Sequence, residues 1–142
     1  MYIVIEFVVI VFFAPLKPEE ERLGLIEKYK ESAKTIDMID CGDSASAKNR
    51  NRAEKAMRRI ARSIENNFCN MKDDFALLLD IKEDHVCVWA ARHMLEVMEY
   101  DPDTQRRAID VLEHVAGGDY KDARTHQLWL DNWYSKNPNM KK

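Results

Sequence analysis

From Pro18 onward, apolar residues return every three or four positions, the spacing of helices that each bury one face. The segment "PEEERLGLIEKYKESAKTI" opens with proline and acidic residues, as a helix N-terminus should, and repeats Leu23, Ile26, Tyr29, Ala33 and Ile36. "DCGDSASAKN" reads as a loop. A longer helix is predicted from about Ser46 to Asn67, with Ala53, Met57, Ile60, Ile64 and Phe68 along one side. A short helix near Asp74 to Leu79 leads to another from about Asp84 to Met98, which "YDPDT" ends. Asp103 or Thr104 is placed to cap the next, which Gly117-Gly118 stops. The last helix carries Ala123, His126, Trp129, Leu130 and Trp133. Residues 137–142 are expected to form a disordered tail.

The stretch "LLLDIKEDHVCVWAARHMLEV" departs from simple amphipathicity. At about 100° per residue, His85, Arg92, Glu96 and Glu99 share one narrow polar strip. Val86, Val88, Trp89, Ala90, Ala91, Met94, Leu95, Val97 and Met98 cover the remaining surface, with His93 inside the apolar arc. Such a helix must be enclosed on more than one side. It is expected at the centre of an all-α stack, in which successive helix pairs bury their faces against the next.

The first residues follow a different rule. "MYIVIEFVVIVFFAPL" is as apolar as a membrane segment, but it is about half the length needed to span one and contains Glu6. Residues 1–17 are therefore set apart from the helical domain, 18–136. Three readings stay open: a strand or extended arm that packs on the body or joins subunits, a weak membrane anchor, or residues preceding the natural start. Few glycines and prolines, four of each, agree with an all-α chain. The net charge of −3 implies no polyanion partner by itself, so charge must be read locally. Cys41, Cys69 and Cys87 are odd in number and lack metal-ligand spacing, which points to thiols in the cytoplasm.

Leu78-Leu79-Asp80, followed by Asp84, Val86, Ala90-Ala91 and Leu95, resembles a HEAT-type repeat, with leucines closing one helix and a valine and alanine pair on the second. From about Glu21 to Tyr134 the chain is also similar to a bacterial family called domain of unknown function number 2019. That resemblance implies an armadillo-type, right-handed stack of about six helices. It has no place for the N-terminal arm.

Candidate chemistry is sparse. No phosphate-binding glycine loop or paired-histidine zinc motif is present. Asp110 with His114, and Asp122 with His126, are each four apart, but their positions on the helix wheel turn the two pairs away from each other. His93 has no partner that the sequence identifies, and Cys87 no activating cation; both read as buried packing residues, as do the three tryptophans. The sharpest signal is "KNRNRAEKAMRRIAR": Lys48, Arg52, Lys55, Arg59 and Arg62 fall within about 80° on one helix face, opposite its apolar stripe. Such a ridge fits a solvated face, an acidic protein surface or a nucleic-acid backbone. A second surface, on the expected concave side, would draw on His85, Arg92, Glu96, Arg124 and Gln127.

These readings lead to a non-catalytic, cofactor-free module that binds a protein, with toxin neutralisation as a fold-level analogy. The alternative is a nucleic-acid-binding module using the 48–62 helix. An enzyme centred on His93 or on Asp110 and His114 is the third possibility.

Overall fold

The computed structural model describes residues 18–38, 44–119 and 122–141. The expected apolar arm, 1–17, and Cys41 lie outside them. The described residues contain six α-helices and no strand: α1 (Pro18–Met38), α2 (Ser44–Asn67), α3 (Lys72–Ala76), α4 (Val86–Glu96), α5 (Pro102–Ala116) and α6 (Ala123–Lys136). Four 3-10 turns join or extend them, at Cys69–Met71, Leu77–Asp80, Glu83–His85 and Pro138–Met140. No helix among the described residues is long and apolar enough to cross a membrane.

Packing follows chain order at both ends. α1 lies along α2, α4 along α5, and α5 along α6. On α2, Ala53, Met57, Ile60, Ala61 and Ile64 are buried, and on α1 Tyr29, Ala33 and Ile36. α4 joins the two halves by touching α1, α2, α3 and α5. Its Val86 through Ala91 are all buried, as are His93 and Met94. Enclosure of this helix is thus as its nearly continuous apolar surface predicts.

The start of α4 is unusual. Asp84 and His85 both adopt left-handed backbone conformations, with φ of 53° and 57°. Asp and His enter this region more readily than most residues, yet the conformation still requires support. Support comes from the Cys87 amide, which donates to the Ile81 carbonyl at 2.9 Å, and from a 2.7 Å contact between His85 Nδ1 and Asp37 Oδ1 on α1.

α5 begins one turn feature earlier than the sequence indicates. Asp101, rather than Asp103 or Thr104, is the cap: its carboxylate accepts the Thr104 amide at 3.1 Å and the Thr104 hydroxyl at 2.6 Å, with Pro102 in the first helical position. Gly117 ends the helix without entering the left-handed region, at φ −87°. Where the sequence predicts a frayed tail, Pro138–Met140 forms a turn. Arg106 Nη2 donates to the Met140 carbonyl at 2.7 Å, and Asn137 Nδ2 to the Trp133 carbonyl at 2.9 Å.

The polar centre of this core is the Tyr29 hydroxyl against His93 Nδ1, 2.6 Å apart and both buried. Replacing Tyr29 by Phe leaves the imidazole nitrogen without that partner at nearly constant volume. Urea unfolding should show a loss of about 1–3 kcal/mol for Tyr29→Phe; an unchanged midpoint would mean the bond contributes nothing net.

Candidate functional site

The sequence nominates two surfaces, and the structure treats them differently. On α2, Lys48, Arg52, Lys55, Arg59 and Arg62 are all exposed. None of the five forms an ion pair with another described residue. They share one face because successive members are three or four residues apart, close to one helical turn. The other two arginines of this helix are engaged: Arg50 lies 3.5 Å from Glu54 and 3.8 Å from Asp122, and Arg58 lies 2.6 Å from Glu96.

Three of the residues expected on the concave side, His85, Arg92 and Glu96, are held by the molecule's own contacts. Glu96 is the partner of Arg58. His85 is hydrogen-bonded to Asp37. Arg92 is half-buried between two indoles, its guanidinium 4.8 Å from the Trp89 ring centre and 5.2 Å from that of Trp129. Desolvation by this burial lowers its pKa, while Glu54 and Glu96 oppose the fall. A guanidinium stacked in this way ties α4 to α6 through cation–π attraction. Arg124 and Gln127 are exposed on α6, and Gln127 Nε2 donates to Asp131 at 2.8 Å.

The histidines separate by burial. Asp110 and His114 lie on the exposed side of α5, whereas His126 is buried in α6. No group of three metal-type ligands occurs among the described residues. His126 stands edge-on to Trp89, with ring centres 5.8 Å apart, and beside Asp37, His85 and Asp122 around a space of about 10 Å³. That is room for about one water and for no organic substrate. The Nδ1 atom of His126 is buried there without a hydrogen-bond partner among the described residues.

Burial also disarms the other reactive groups. His93 is pushed down to about 3, first by desolvation and then by the charges of Arg92 and Arg58. His126 falls to about 4 through desolvation and Arg92. Burial raises the Cys87 thiol, which therefore stays protonated and a poor nucleophile. Trp89 is buried as its spacing predicts; Trp133 is half-buried and donates Nε1–H to the Leu95 carbonyl at 3.3 Å.

Sequence reasoning found the ridge but missed the partners that occupy the other surface. Asp37, Tyr29 and Arg58 carry no local mark: the first two meet their histidines across 48 and 64 residues of chain. Comparison with protein-family models, curated proteins and solved structures found no match.

The two neutral histidines give a pH dependence with a definite sign. In the unfolded chain each titrates near 6.5, whereas in the fold they do so at about 3 and about 4. Between those values the unfolded state binds more protons, so stability is complete above about pH 6.5 and falls as pH drops toward the folded values. Urea midpoints measured from about pH 7 to about pH 5, above most carboxylate titration, should reveal a loss of about 2 kcal/mol per histidine. A flat profile over that window would contradict neutral burial of both.

Proposed function

We propose that this chain is a non-catalytic, HEAT-like helical module that binds a protein partner through an acidic surface. The observation that carries the reading is the exposed α2 ridge of Lys48, Arg52, Lys55, Arg59 and Arg62, none of which forms an ion pair with a described residue. Other cations, Arg50, Arg58, Lys72 and Arg92, are joined to carboxylates or aromatic faces. Single exposed cations such as Lys34 and Arg124 also stand outside ion pairs, but the ridge gathers five on one helix face.

Charge distribution favours a compact acidic patch over a long polyanion. Setting the five ridge cations aside leaves 17 Lys and Arg against 25 Asp and Glu, a formal −8 on the rest of the chain. A nucleic acid extending past the ridge would meet that negative field, whereas a protein patch of matching size would not. α2 also holds no aromatic residue on which a base could stack. A toxin neutralised by covering its surface is one partner of this kind. The reading places the protein in the cytoplasm, where Cys69 and Cys87 remain thiols.

The test uses fluorescence anisotropy with two labelled probes, a Glu-rich peptide of about 20 residues and a DNA duplex of similar charge. The peptide should bind more tightly than the duplex, and Lys55→Glu with Arg62→Glu should weaken it by at least about tenfold, near 1.4 kcal/mol. Both substitutions are at exposed positions, where folding is little affected. Duplex binding tighter than peptide binding, with a steep salt dependence, would move the assignment to nucleic acid. Peptide binding indifferent to the double reversal would remove the ridge from the site.

A further inference from the structure

A groove of about 470 Å³ runs between α1 and α2, with Arg59 of the cationic ridge in its wall. Leu25 on α1 and Ala56 and Ile60 on α2 supply its apolar lining. Arg59 belongs both to the lining and to the ridge, and Lys28 contributes a second cation from α1, against the single acid Glu31. On the helix wheel Arg52 falls on the same side as Arg59, about two turns nearer the start of α2. From Leu25 to Thr35 the α1 wall extends about 15 Å, close to three helical turns.

We propose that this groove receives one amphipathic helix of the partner, about three turns long, with an apolar stripe inward and carboxylates toward Arg52 and Arg59. The proposal rests on the acidic-partner reading above and specifies the form in which the acids are presented. Two features select that occupant. The lining sets the apolar side chains of Leu25, Ala56 and Ile60 beside the cations Lys28 and Arg59, which is the complement of a helix bearing leucines on one side and glutamates on the next. Its length and openness suit a rod, while a flat acidic surface would touch the ridge and leave Leu25 and Ala56 uncovered. Both residues are only half-buried in the chain itself.

The experiment compares two peptides of identical composition on the full-length chain. One places Leu at i, i+3, i+4 and i+7 with Glu along the adjoining face; the other carries the same residues scrambled. The ordered peptide should bind at least about tenfold more tightly. Ala56→Trp fills the groove from α2, and Thr35→Trp narrows it from the exposed side of α1. Each should abolish the preference while both peptides keep the weaker, ridge-dependent binding, with circular dichroism confirming an intact helical fold. Preference retained in both tryptophan variants would overturn the groove and leave the ridge reading standing. Loss of the preference in those variants, combined with no response to Lys55→Glu and Arg62→Glu, would instead overturn the ridge and with it the charge argument for this occupant. Sedimentation of the protein alone adds a further arm: a dimer dissolved by Ala56→Trp would show that a second copy fills the groove and would defeat the assignment to a separate partner.

Discussion

The fold depends on burying an imidazole without its charge. His93 sits on the most enclosed helix of the molecule, where an ionised ring would be desolvated and would face Arg92 and Arg58. Kept neutral, it accepts burial on one condition: its ring nitrogen must be hydrogen-bonded, and the Tyr29 hydroxyl meets that condition. Tyr29 is itself fully buried and packs edge-on against Phe75, with ring centres 4.9 Å apart. One polar contact therefore fixes α1 against α4 in register and orients the aromatic residues around it. Trp89, stacked toward His93 on one side and Arg92 on another, extends the arrangement to α6.

The same enclosure explains the strained entrance to α4. A helix buried on several sides has little freedom in where it begins, so the preceding turn must bring the chain in at a set angle. Two consecutive residues, Asp84 and His85, adopt left-handed conformations to do so. The His85 side chain then reaches Asp37 near the end of α1 and fastens the turn. Its polar character is thereby used within the fold, as is that of Arg92 and Glu96. A polar strip that looks like a binding surface on a helix wheel is, in three dimensions, a set of internal ties.

This difference shows which information a single sequence holds. The burial of α4 was legible because its apolar residues occupy nearly every angle, a local property of Val86 through Met94. The α2 ridge was legible for the same reason, since five cations at helical spacing define a face whatever surrounds them. The Arg58–Glu96 and His85–Asp37 pairs were not, because each requires knowledge of which helices become neighbours. Capping by Asp101 was a nearer miss: aspartate, proline and threonine stand in the right order, but Asp103 and Thr104 offer similar side-chain chemistry two and three residues later. The turn at Pro138–Met140 was not legible because the Arg106 contact to its Met140 carbonyl comes from far away in sequence. The groove beside the ridge has no local signature, since Ile60 reads as an ordinary core position and Leu25 falls outside the apolar stripe of α1.

Energetics separates the ridge from the charged groups that tie helices together. Arg58, Arg92 and His85 sit in contacts that hold helices together. The ridge instead sets like charges at successive three- and four-residue spacings, Lys48 to Arg52, Lys55, Arg59 and Arg62. Each such neighbour relation opposes helix formation by about 0.2–0.5 kcal/mol, so the four together cost about 1–2 kcal/mol at low salt. Folding gains no ion pair in return, because these exposed side chains pair with no described residue. An acidic partner would reverse the sign of the same interactions by bringing carboxylates within reach of each cation. Under the proposed reading, the repulsion built into α2 would be relieved when such a partner binds.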